Sequence, residues 1–122
     1  MYLQLIINPG STSTKVGVYR SQADGTLGEL FVETINHNPN HLLEFENLEA
    51  QLPYRKEVIE SVLKDNGYDC EQLMAVVGRG GQIYGLKSGG YGVTPAFCRD
   101  MMNPRNVQHA SNLGAPLATE LA

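Results

Sequence analysis

The apolar stretch 2–7 and the stretch 15–20 are joined by nothing longer than the link Asn8–Thr14. In the second stretch Val16 and Val18 alternate with Gly17 and Tyr19, which is a strand period. Parallel strands need a crossover of about a dozen residues or more, so two strands this close must be antiparallel neighbours. The link is therefore a hairpin loop. That constraint removes the folds that alternate strand and helix from the outset. A phosphate loop of the Walker type needs GxxxxGK[ST] between a strand and a helix. Here Gly10 is present, Thr14 stands where the second glycine should be, and a strand follows Lys15.

Downstream, Leu30–Ile35 reads as a third strand after the turn Ala23-Asp24-Gly25. From Pro53 to Asn66 the residues Tyr54, Val58, Ile59, Val62 and Leu63 recur at helical spacing. Pro53 suits the first turn, and Gly67 suits the position just past the end. Leu73–Val77 is apolar throughout, which predicts a central strand covered on both faces. Thr94 is placed to cap a short helix that opens at Pro95 and stops before Pro104. Ser111 or Asn112 could cap a last helix running to residue 122. The predicted order is β-β-β-α-β-α-α: an antiparallel meander, then a strand joined in parallel by a crossover.

The hairpin is rich in donors. Ser11, Thr12, Ser13 and Thr14 bring four hydroxyls and Lys15 a positive charge. Backbone N–H groups in such a turn can form an anion-binding concavity. Asn8, at the strand end, has an oxygen suited to a metal ion or its water. Asn-Pro-Gly and Ser/Thr runs are also ordinary turn chemistry, so a ligand-free polar turn is the rival reading.

Charge is uneven along the chain. Residues 24–71 hold eleven acids against Arg55, Lys56 and Lys64, a net of −8; the remainder holds six bases against Asp100 and Glu120, a net of +4. The glycine-rich loops lie in the basic part, which suits an anionic ligand. A solvated acidic helix face explains the asymmetry equally well. No arginine-rich stripe with interleaved aromatics is present, which argues against nucleic acid. An apolar fraction of 42% with 18% charged residues fits a folded domain. No apolar run approaches the ~18 residues of a membrane span, and no signal peptide is visible. Cys70 and Cys98 form no CxxC pair and read as buried thiols of a cytosolic protein.

Two further stretches bear on the hairpin. "AVVGRGGQIYG", residues 75–85, ends an apolar strand in Gly78-Arg79-Gly80-Gly81, with Ile83 in place of the last glycine of GxGxxG. Glycines at a strand's carboxyl end allow close approach of a ligand, and one arginine can grip a carboxylate or phosphate in bidentate fashion. "QHASNLGAPLA", residues 108–118, sets His109 just ahead of a helix start. There it is either a solvated loop histidine or a phosphate contact.

"INPGSTSTK", "VVGRGG" and "HASNLGA", in this order and spacing, resemble the carboxylate kinases of the acetate kinase family. Pro9, and "HASNLGA" where acetate kinases carry His-Asn-Pro, are similar to the butyrate kinase branch. The His-Asn-Pro within "NHNPNH", residues 36–41, follows the third strand directly and reads as a turn. The resemblance implies an α/β, ribonuclease H-like or actin-like ATPase domain over residues 1–122, the N-terminal one of two domains. It implies phosphoryl transfer from ATP, with Mg²⁺, to butyrate or a related short or branched carboxylate, giving an acyl phosphate and ADP.

By motif match, Asn8 is similar to the residue near the metal, Ser11 and Ser13 to phosphate-contacting hydroxyls, and Lys15 to the nucleotide-phosphate lysine. Arg79 matches the carboxylate or phosphoryl clamp and His109 a phosphoryl contact. Acetate kinases space their arginine farther ahead of the paired glycines, whereas Arg79 abuts Gly80-Gly81. The family encloses ATP between two domains, so the chain is expected to be a truncated half, inactive alone and cytoplasmic. The face its partner domain would cover should favour homo-oligomers. A free-standing binding or assembly domain of the same fold is the alternative.

Overall fold

A computed structural model describes residues 2–81, 86–103, 105–106 and 108–122. Pro104, the expected helix stop, and residues 82–85 of the glycine-rich stretch lie outside the described residues.

The short link dictates the sheet. Strand β1 (Leu3–Pro9) pairs antiparallel with β2 (Ser13–Ser21), and β2 with β3 (Leu27–Asn36). Strand β4 (Leu73–Gly78) joins the free edge of β1 in parallel, giving the order β3-β2-β1-β4. The meander and the crossover are therefore as the spacing predicts. No helix begins near Ser13.

Helices follow their capping residues. Asn38 caps a single turn, α1 (Pro39–Leu42), where the sequence reads as a turn only. The long α2 (Leu52–Asp65) ends at Asn66, with Gly67 at φ +84° just beyond. The Thr94 hydroxyl accepts from the Phe97 N–H at the start of α3 (Pro95–Met101). The last segment differs from expectation. Its side-chain cap is His109, neither Ser111 nor Asn112: His109 opens a 3₁₀ turn, Ala110–Leu113, that runs on into α4 (Gly114–Leu121). A ring nitrogen two residues upstream reaches the Ser111 N–H, so the hydroxyl is not needed.

Side-chain alternation sends Leu5 and Ile7 of β1 and Val16 and Val18 of β2 to one face of the sheet. Ile59 and Leu63 of α2, Leu113, and Leu117 of α4 close over them, all fully buried. Each such side chain contributes about 1.5–3 kcal/mol by leaving water. The opposite face carries no helix among the described residues. Ala75 and Val77, the β4 residues opposite Gln4 and Ile6 on that face, are exposed. Among the described residues β4 is thus the outermost strand with one open face, where its composition predicts a central, doubly covered strand. The meander occupies one side of β1, which leaves β4 the other side. Cys70 and Cys98 are unpaired and half-buried, not buried as expected. Burial, with Glu60 and Asp69 nearby, pushes the Cys70 thiol above its usual pKa.

The glycines at the end of β4 pack against protein. A Cβ on Gly78 would lie 2.0 Å from the Gly114 carbonyl oxygen, and one on Gly80 2.9 Å from the Ser111 Cβ. Gly81 at φ +107° would meet the Met101 sulfur at 2.8 Å. These glycines admit the segment 110–114 and Met101, where the sequence suggests room for a ligand. Gly78→Ala should therefore cost about 3 kcal/mol by overpacking, against about 1 kcal/mol for Gly25→Ala. Gly25 has φ +86° and nothing within 4 Å of its Cβ position. Equal losses in urea unfolding would contradict this packing.

Candidate functional site

The carboxyl ends of β1 and β4 and the start of β2 meet at one end of the sheet. Lys15 pairs with Asn8 across the β1–β2 hairpin. The parallel register that sets Ile7 beside Gly78 runs on into Arg79, whose N–H donates to the Ile7 carbonyl at 2.8 Å. Lys15, Asn8 and Arg79 thus make one row across three strands. Their neighbours Ile7, Val16 and Thr14 point into the core, so alternation turns Asn8 and Lys15 to the open face. The Lys15 and Arg79 residues are exposed.

The hairpin turn lies at the head of this row. Gly10 N–H donates to the Ser13 carbonyl at 2.7 Å, which closes it. The next three carbonyls are all bonded, two of them from the core side. The Thr12 carbonyl accepts from the His37 N–H at 2.8 Å. Those of Ser13 and Ser11 accept from the Arg55 guanidinium at 3.0 and 3.4 Å. No peptide bond is cis, and in a trans peptide the N–H points opposite to the preceding C=O. The N–H groups of Thr12 and Ser13 therefore face away from these donors.

His109 reaches the same end through Ser111, whose Cβ adjoins Gly80. Its Nδ1 accepts the Ser111 N–H at 3.0 Å and lies 2.9 Å from the Ser111 hydroxyl. An accepting Nδ1 leaves the neutral ring's proton on Nε2, so the exposed nitrogen is a donor. Asn8, Ser11, Ser13, Lys15, Arg79 and His109 are thus brought to one end of the sheet. The set offers cations, hydroxyls and N–H groups, and no carboxylate, as an anion site requires.

Beneath it lies a polar cluster that the sequence reading missed. Arg55 is 0% exposed, as is Thr14, and His37 is 4% exposed. Besides the two carbonyls, Arg55 donates to Gln51 Oε1 at 3.0 Å and Thr14 Oγ1 at 3.2 Å. Burial lowers its pKa, opposed by Tyr54, but an arginine stays charged. His37 bridges Thr14 Oγ1 at 2.8 Å and the Tyr54 hydroxyl at 3.0 Å. The signal for Arg55 is positional. It precedes Ile59 by four residues and so shares that residue's buried stripe on α2.

Among the described residues no group of three or more His, Cys, Asp or Glu side chains could hold a metal ion. Mg²⁺ binds through carboxylates, phosphates and water. Asn8 supplies one neutral oxygen, which fits contact with a metal's water and not a protein-built site.

The chain is 41% identical over 120 residues to a probable butyrate kinase of Clostridium botulinum. It is 45% identical over 118 residues to one from Listeria monocytogenes and 43% identical over 121 to one from Listeria innocua. These matches cover 97–99% of this chain. The chain is a homologue of the probable butyrate kinases. It spans about a third of the length of these curated relatives. The mixed sheet with flanking helices agrees with the α/β actin-like ATPase fold of the butyrate kinase homologues. No family model matches the chain. No described helix is long and apolar enough to cross a membrane.

The His37 network predicts a pH dependence. Burial, then Arg55 and His41, hold the His37 pKa below its usual value of 6.5. The unfolded chain takes up the proton first, so stability is full above about pH 6.5 and falls as the pH drops toward the folded pKa. Thermal unfolding from about pH 7 to about pH 5 should show a falling midpoint, with a shallower fall in His37→Gln. An equal fall in both proteins would contradict this.

Proposed function

We propose that this chain is the phosphate-holding, N-terminal part of a two-domain butyrate kinase. The reaction is transfer of the γ-phosphoryl group of ATP to a carboxylate oxygen of butyrate or a related short or branched acid, giving an acyl phosphate and ADP. The observation that carries it is the row Lys15–Asn8–Arg79 beside a hydroxyl-rich turn whose Thr12 N–H faces away from the core-side guanidinium. Both reactants are anionic. Catalysis of such a transfer is in-line positioning plus neutralisation of phosphoryl charge.

In this reading Lys15 and the Ser11 and Ser13 hydroxyls hold the nucleotide's phosphates. Arg79 grips the carboxylate or the moving phosphoryl group, and the Nε2–H of His109 donates to a phosphoryl oxygen. Asn8 would contact the water of a nucleotide-bound Mg²⁺, which would supply neutralisation of phosphate charge. Unpaired Cys70 and Cys98 support a cytoplasmic location. Exposed ion pairs are worth about 0–1 kcal/mol each, so this chain alone should bind ATP weakly and turn it over undetectably.

The open sheet face, with Val77 exposed, supports a second reading as an assembly domain. Trapping acyl phosphate with hydroxylamine separates the two. A protein of the relatives' length carrying this segment should form hydroxamate from butyrate and ATP, and Lys15→Ala should lower the rate about 100-fold or more. Homodimers by light scattering, with no hydroxamate from the longer protein, would favour assembly and overturn the kinase.

A further inference from the structure

Arg55 heads the fully buried side chains in size, yet it has no part in the proposed chemistry. A buried cation is costly, and an apolar residue at a core position of α2 would avoid that cost. Among the described residues no carboxylate offsets it. Its partners are the Ser11 and Ser13 carbonyls, the Thr14 hydroxyl and Gln51. Three of those four belong to the hairpin, more than forty residues away in sequence.

A serine- and threonine-rich turn can bond its own backbone in several ways. Arg55 removes that freedom. It occupies the outward-capable carbonyls of Ser11 and Ser13 from the core side, while the His37 N–H occupies that of Thr12. We propose that Arg55 is a positioning residue: it locks the Ser11–Ser13 turn with the Ser11 and Ser13 carbonyls inward and the Thr12 N–H outward, so that the turn is a preformed receptor for a phosphoryl anion. The inference rests on reading this turn as the phosphate site. Its benefit is that the turn need not be ordered when the ligand arrives. The planar guanidinium is suited to the task because it donates in several fixed directions at once, which an ammonium does not.

The test uses the ¹⁵N-labelled 122-residue chain, inorganic pyrophosphate and the variant Arg55→Lys. Lysine keeps the charge, so a change in affinity cannot come from net charge. In the wild type the Ser11–Ser13 amides should be rigid, with order parameters near ~0.85, and Thr12 and Ser13 should shift on adding pyrophosphate. In folded Arg55→Lys the β1–β4 amide shifts should persist. The turn should loosen toward order parameters below ~0.6, and pyrophosphate affinity should drop about tenfold. A variant turn as rigid as the wild type, with unchanged affinity, would overturn the inference.

Absence of any pyrophosphate shift in the wild type would instead overturn the phosphate reading, which the rigidity comparison does not address. If Arg55→Lys does not fold, the wild type still decides. A locked guanidinium should give resolved N–H signals with cross-peaks to Ser13, and rotationally averaged signals would overturn the proposal.

Discussion

A buried guanidinium holding backbone carbonyls is the contact on which the functional end of this molecule depends. Arg55 projects from α2 through the core layer and meets the β1–β2 turn from beneath. The turn then has one orientation, with the Thr12 N–H on the side away from the guanidinium. The same helix supplies Ile59 and Leu63 to the apolar core and Tyr54 to His37. Core packing and the shape of the turn are therefore coupled: what seats α2 on the sheet also sets the turn.

The sheet end gains its second half by close backbone packing. Gly78 and Gly114 approach nearer than any side chain would allow. This contact brings His109 and the segment 110–114 beside the end of β4. Arg79, between Gly78 and Gly80, is left projecting from the strand end while its flanking glycines are taken up by packing. The chemistry and the packing share one short stretch but use different residues of it.

Much of this was legible in the sequence. The Asn8–Thr14 link is too short for anything but a hairpin, and Val16 and Val18 alternate cleanly, so the meander follows. Thr94 and Gly67 mark helix ends because capping is local chemistry. What was not legible depends on tertiary placement. Continuous apolar character in Leu73–Val77 suggested cover on both faces, but strand order is set by partners that composition does not name. The glycines after β4 looked like room for a ligand because a sequence cannot show what approaches them. Position ahead of a helix start suggests a phosphate contact for His109, while its capping role shows only in the distance to the Ser111 N–H. Apolar periodicity assigns a charged residue to the surface, so it does not mark Arg55. Its place four residues before Ile59 was the available sign.

The central claim is that the hairpin turn is built, from below, to present N–H groups to an anion. A crystal structure of this chain grown with inorganic pyrophosphate tests it most directly. The account predicts the anion at the turn, about 3 Å from the Thr12 and Ser13 nitrogens, with Arg55 still bonded to the Ser11 and Ser13 carbonyls. A turn with those carbonyls facing outward, or an anion bound away from it, would contradict the account.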